Sequence, residues 1–259
     1  MKLYIHSPRE QDFSQSRQLV LGQQFFQHGI GSLAEKSQHA ILKNYYCPNP
    51  SCQEINLGNF VADIADETGV TEIQTRGFGS MRKKLSFFLM NYPVRVVYPC
   101  SQIKWLIRFD PKTGEVLSRR KSPKRSVVLE LFRELYSIRE LLWPENFSIV
   151  IPLLECEEYR IVDSEPKPFS KGYQKYELLP LSILGEIHLR RPEDLLFLLP
   201  ENLPTQFTSS DLKKLAKTTD RTAFYTISVL RSLGLIRQVG KQGRSYLYEI
   251  NILPEKGLP

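Results

Sequence analysis

Two short alternating runs, residues 60–65 and 70–75, flank the polar turn Asp66-Glu67-Thr68-Gly69 and constrain this chain more than any other feature. Paired across that four-residue turn, Ala65 faces Val70, Asp63 faces Glu72 and Val61 faces Gln74. Side chains alternate across a strand, so Asp63, Glu72 and Gln74 all project to the same side. Carboxylates placed opposite each other in neighbouring strands repel, and Val61, Ile64 and Ile73 make part of their surroundings apolar. A hard divalent cation held by oxygen ligands compensates such a pair.

The flanking sequence supplies the elements around this hairpin. Ser32-Leu33-Ala34-Glu35 has the spacing of a capping box and opens a helix that runs to about Tyr46, where Pro48 and Pro50 stop it. Glu35 is therefore either a cap acceptor or a third carboxylate on a helix entering the meander, and the two roles can coexist. His39 follows one turn later and reads as structural or DNA-proximal. Residues 54–57 and 60–65 form strands joined by Gly58-Asn59. After Arg76-Gly77-Phe78-Gly79, Ser80 caps a second helix, with Met81, Leu85, Phe88, Leu89 and Tyr92 at helical spacing. Pro93 ends it, and residues 94–98 form a β-branched strand, which implies a parallel crossover. A further hairpin (104–109 and 115–117), a helix over 127–142 and a strand over 147–154 complete this part.

A helix with Glu, a strand with Asp and a next strand with Glu-x-Lys or Glu-x-Gln, in αβββαβ order, resembles the PD-(D/E)XK nuclease superfamily. The residues that carry the resemblance are Glu35, Asp63 in Phe60-Val61-Ala62-Asp63-Ile64, and Glu72 with Gln74 in Thr71-Glu72-Ile73-Gln74-Thr75. The resemblance implies that Glu35, Asp63 and Glu72 hold Mg²⁺ or Mn²⁺ and that Gln74 orients a water. Gln74 departs from the usual lysine and carries no charge. Lys43, Lys83 and Lys84 are the candidates to supply that charge from a neighbouring helix. The text Leu42-Lys43-x-Tyr45-Tyr46, Glu72-Ile73-Gln74-Thr75-Arg76 and Arg119-Arg120-Lys121-Ser122-Pro123-Lys124 also looks like an uncharacterised group of bacterial proteins, with which no activity comes.

Basic residues gather in two places. Arg119, Arg120, Lys121, Lys124 and Arg125 fall within seven residues that contain no acid, and a phosphate backbone suits them. Between 205 and 250 bases outnumber acids eight to three. There a helix over 192–199, a capped helix over 208–216, a helix over 221–233 and strands around the turn Gly240-Lys241-Gln242-Gly243-Arg244 resemble a winged helix-turn-helix. That resemblance implies DNA contacts by Arg221, Thr222 and Tyr225 on the third helix and by Lys241 and Arg244 on the wing.

The expected fold class is thus α/β, a mixed-sheet PD-(D/E)XK-like core followed by a small winged helix domain. Residues 1–30 read as an N-terminal arm or preceding helix, 31–163 as the nuclease-like domain, 164–190 as a linker or connecting segment and 191–259 as the winged domain. Formal net charge is +7 with a pI of about 9.2, which draws polyanions. No apolar run reaches the ~18 residues of a membrane span and no signal peptide opens the chain, so a cytoplasmic protein is expected. Cys47, Cys52, Cys100 and Cys156 read as unpaired thiols, with structural zinc as the lesser alternative. The expected function is a metal-dependent DNA endonuclease, alternatively a non-catalytic DNA-binding transcriptional regulator. A homodimer or a larger DNA-processing complex are the candidate assemblies.

Overall fold

The hairpin at 60–75 lies within a large mixed sheet, in a computed structural model that describes residues 5–27, 37–110, 113–123, 128–162 and 172–251. Helices α1 (Glu10–Gln27) and α2 (Ser37–Tyr46) come first. Strands β1 (Gln53–Leu57), β2 (Phe60–Asp66) and β3 (Gly69–Ile73) then form an antiparallel meander. Helix α3 (Arg82–Asn91) carries the chain to β4 (Val94–Val97), which runs parallel to β3. The tight join between them demands glycine at Gly69: its φ is +125°, and a Cβ there would lie 2.3 Å from the Pro93 carbonyl oxygen. That oxygen already accepts the Val70 N–H at 2.8 Å, so it cannot retreat without breaking a bond of the sheet.

Strands β5 (Cys100–Phe109) and β6 (Val116–Lys121) form the expected second hairpin. Helix α4 (Leu131–Ser137) is shorter than its sequence pattern, because both ends tighten into 3₁₀ turns. The two long strands β7 (Phe147–Val162) and β8 (Tyr173–Leu189) pair antiparallel over most of their length. Both β4 and β5 lie parallel to β7, one after the other along the same edge, and Pro152 falls where β4 hands over to β5. The class is therefore α/β with a mixed sheet. The segment 164–190 is not a linker over 173–189. Its alternation is hidden by three register shifts against β7, and its Pro180 is tolerated because β8 borders the sheet.

The two faces of the sheet carry separate apolar layers. Phe13 and Val20 of α1, with Ile41, Leu42 and Tyr45 of α2, cover Ile64, Ile73, Val97 and Leu154. The segment expected as an arm or helix is thus a packed helix. On the other face Leu85 and Phe88 of α3, with Leu131, Phe132 and Leu135 of α4, cover Val94, Val96, Ile149 and Ile151.

The C-terminal part joins this second layer. A 3₁₀ turn (Pro192–Leu198) stands where a first helix was expected, bounded by Pro192 and Pro200. There follow β9 (Gln206–Phe207), α5 (Ser209–Leu215), α6 (Asp220–Ser232), β10 (Ile236–Gln242) and β11 (Ser245–Ile250), with strand order β10-β11-β9. Thr208 and Asp211 form a capping box on α5, and Thr219 caps α6. Ala223, Ile227, Val229 and Leu230 of α6 belong to the same apolar core as α3 and α4. The hydroxyl of Thr222 donates to Glu130 at 2.9 Å, and the Tyr225 ring lies 5.0 Å from that of Tyr136 on α4. No helix among the described residues is long and apolar enough to cross a membrane.

Candidate active site

The β2–β3 ladder runs from Asp66↔Gly69 through Ala65↔Val70 to Ile64↔Thr71 and then stops. One step further the expected Asp63–Glu72 pair appears, and side chains replace the ladder. The Ile73 N–H donates to Asp63 Oδ2 at 2.7 Å, and the Asp63 N–H donates to Glu72 Oε1 at 3.2 Å. Each carboxylate thus accepts a main-chain N–H where the two strands diverge.

Two basic side chains from different helices hold the pair. His39 on α2 places Nε2 3.1 Å from Asp63 Oδ2, and Lys84 on α3 places Nζ 2.5 Å from Glu72 Oε2. Glu72 is only 3% exposed. Burial first, and the Asp63 charge second, push its carboxyl up to about 7, against the pull of Lys84. Burial would raise Asp63 as well, but the His39 hydrogen bond and charge, the Ile73 N–H and Lys84 hold it below the usual carboxylate range. Adjacent carboxyls driven in opposite directions suit a site that handles charge and protons at neutral pH.

A cleft of about 750 Å³ opens over this pair. Its near wall includes Gln74 and Arg76, and its far wall is Glu158 of β7 with Lys175 and Tyr176 of β8. Glu158 is buried among Lys104 at 3.1 Å, Lys175 at 3.4 Å and Arg160, which outweigh its desolvation and hold its carboxyl low. These far-wall residues had no local signal in the sequence, since only the long β7–β8 pairing brings them across.

The other expected residues divide clearly. Glu35 lies outside the described residues, as do Lys124 and Arg125. Among the described residues no three His, Cys, Asp or Glu side chains converge as a metal-ligand set. Gln74 lines the cleft, yet its amide donates to the Arg76 carbonyl at 2.6 Å, so it is turned to its own loop rather than toward the carboxylates. Of the three candidate lysines only Lys84 reaches the pair; Lys43 binds Glu54 at 2.5 Å and Lys83 is exposed. All four cysteines are free thiols, with Cys100 pushed up to about 12 and Cys156 to about 11 by burial.

The first three cations of the basic segment, Arg119, Arg120 and Lys121, lie in β6 and are exposed. Arg119 donates to Glu157 at 3.0 Å and its guanidinium lies 4.1 Å from the ring of the half-buried Trp105. On α6, Arg221 is exposed. Thr222 is 3% exposed and bound to Glu130, which removes it from any groove, and Tyr225 packs on Tyr136. Lys241 and Arg244 are exposed at the β10–β11 turn, Lys241 lying 5.3 Å from the Tyr246 ring.

Residues 36–190, which span α2 through β8 and hold the whole described cleft, match the profile of a domain of unknown function (DUF8091). The chain belongs to the DUF8091 family. A protein of Treponema pallidum (strain Nichols), described as an uncharacterized protein, is 29% identical to it over 220 residues, covering 85% of this chain and 86% of that one. No solved structure matches the chain. Within the DUF8091 segment lie Asp63, Glu72, Lys84 and Glu158, whereas α5, α6 and the β10–β11 turn lie beyond it.

Proposed function

We propose that the protein is a metal-dependent DNA endonuclease of the PD-(D/E)XK kind. The observation that carries this reading is the Asp63–Glu72 pair at the mouth of two diverging strands, Glu72 buried and Asp63 partly so, with Lys84 2.5 Å from Glu72. Both side chains offer hard oxygen donors, and burial together with the neighbouring Asp63 charge raises the Glu72 carboxyl. That donor set fits Mg²⁺ or Mn²⁺, which Asp63 and Glu72 would hold with Glu35 as the third expected ligand. Such an ion supplies positive charge to a scissile phosphate and lowers the pKa of water. The protein's own groups do the rest. Lys84 stands in for the lysine missing at Gln74 and offers its ammonium to a phosphate oxygen. His39 keeps Asp63 ionised and in place. Lys175 and Tyr176 bound the cleft opposite, one able to meet a phosphate and the other a base.

The C-terminal arrangement of α5, α6 and the β10–β11 hairpin supports a winged helix-turn-helix reading. Because α6 is anchored on α4, DNA would meet Arg221 and the turn cations Lys241 and Arg244, not Thr222 or Tyr225. Arg120, free of the Trp105 stack, offers a further phosphate contact.

One observation favours the second reading, a non-catalytic DNA-binding regulator: Lys84 already neutralises Glu72. Incubating the full chain with supercoiled, single-stranded and branched DNA, with and without Mn²⁺, separates the two. Cleavage that requires Mn²⁺ and is lost in Glu72→Ala is expected. Tight DNA binding with no cleavage under any of these conditions would establish the regulator instead.

A further inference from the structure

A second site lies on the other face of the same strands. Alternation along β3 and β4 carries Thr71 and Arg95 away from the side on which Glu72 projects. The register sets Arg95 between Thr71 on one neighbour and Ser148 on the other. Its Nε donates to the Thr71 hydroxyl at 3.1 Å. Beyond β7, His188 of β8 stands opposite Val150, and Arg190 follows it. Arg95, Thr71, Ser148, His188 and Arg190 line one cavity of about 420 Å³.

The charge of this cavity is not balanced from within. Among the described residues, neither Arg95 nor Arg190 has a carboxylate within ion-pair distance. Glu145 also lines the cavity but is exposed and pairs with neither. Glu186, a buried acid beside the cavity, accepts from the Tyr46 hydroxyl at 2.5 Å and makes a long ion pair of 3.7 Å with His188 Nε2. That Nε2 is itself buried without a hydrogen-bond partner. The ring of His6 lies 4.3 Å from that of His188, and burial, with His188 and the Arg190 charge beside it, holds His6 below its ordinary range. A half-buried guanidinium lacking a counter-charge, beside an unsatisfied imidazole nitrogen and two hydroxyls, is a costly arrangement unless an anion completes it.

We infer that this cavity binds an oxyanion of the phosphate or phosphomonoester class, gripped by Arg95 and Arg190 with His188 and the Thr71 and Ser148 hydroxyls around it. Guanidinium donors match phosphate oxygens in pairs, and the volume leaves room for a substituent on the phosphate. The anion is either free phosphate or the phosphorylated end of a nucleotide or oligonucleotide. The site shares no residue with the carboxylate cleft, so it stands whether or not that cleft cleaves DNA.

Calorimetric titration of the full chain with inorganic phosphate tests it, alongside a 5′-phosphorylated dinucleotide and its 5′-hydroxyl counterpart. Parent protein should bind phosphate, and Arg95→Gln and Arg190→Gln should each weaken it by about tenfold or more, as expected for losing a charge-assisted contact. Lys83→Gln, at an exposed lysine outside both sites, should bind it as the parent does. Arg190 is exposed, so Arg190→Gln keeps the test decisive even if Arg95→Gln does not fold. A dinucleotide that binds only when phosphorylated, and better than inorganic phosphate, identifies a nucleotide end as the source. Inorganic phosphate binding at least as well identifies the free anion. Absence of phosphate and dinucleotide binding in the parent, or parent-like affinity in Arg190→Gln, overturns the inference.

Discussion

Replacing Glu72 by glutamine should make the protein more stable in alkaline solution and change little in acid. The Glu72 carboxyl rises from an ordinary 4.5 to about 7 on folding. The folded chain therefore keeps a proton that the unfolded chain releases between those values. Stability falls as pH rises through that window and levels off above it. At about 1.4 kcal/mol per unit of pKa, Glu72 costs the native state about 3 kcal/mol above pH 7 relative to acid solution. Glutamine preserves shape and can still accept the Asp63 N–H, but it has no proton to release. It also removes the partner of Lys84, which is partly solvated and regains water, so most of the gain should survive. Urea unfolding at pH 5 and pH 8 reads the difference directly. The loss of stability between those two conditions should shrink by about 2–3 kcal/mol in Glu72→Gln relative to the parent. Parallel profiles for the two proteins would refute the claim that Asp63 and burial hold this carboxyl high.

Two further perturbations probe the frame around the cleft. Gly69→Ala should cost about 3 kcal/mol or more, measured as a shift in urea midpoint, because a Cβ would meet the Pro93 carbonyl in a backbone conformation that alanine avoids. Thr222→Val should cost about 1–3 kcal/mol by stranding Glu130 while leaving DNA affinity unchanged. The double variant Lys241→Gln with Arg244→Gln should do the reverse, leaving stability alone and flattening the salt dependence of DNA binding by about 0.9 for each phosphate no longer neutralised.

Strand pairing at 64–71 was legible because a four-residue turn fixes the register on its own, and register fixes faces; the expected Val61–Gln74 pair lies beyond the end of the ladder and does not form. The facing of Asp63 and Glu72 followed without knowledge of any other part of the chain. Lys84 could be named as a candidate but not distinguished from Lys43 or Lys83, since that choice depends on how α2 and α3 sit over the sheet. β8 was illegible for a different reason. Its bulges break the period of two, and the Pro-rich stretch between Val162 and Tyr173 reads as a linker rather than as the connection of two paired strands. The far wall of the cleft, Glu158, Lys175 and Tyr176, was hidden with it. Thr222 was misread because helical spacing within α6 identifies one apolar stripe, whereas this helix is buried on two sides, against α5 and against α4.

That second burial makes the C-terminal part something other than a detachable module. Cutting the chain after β8 would uncover the face of α4 that carries Tyr136, whose ring packs on Phe224 and Tyr225, and would remove the Thr222 hydroxyl from Glu130; each large apolar side chain returned to water forfeits about 1.5–3 kcal/mol. Heat or denaturant should therefore find one cooperative unit. A lineage that exchanged its C-terminal part for another would have had to rebuild α4 in the same step, so the two parts are bound to diverge in concert.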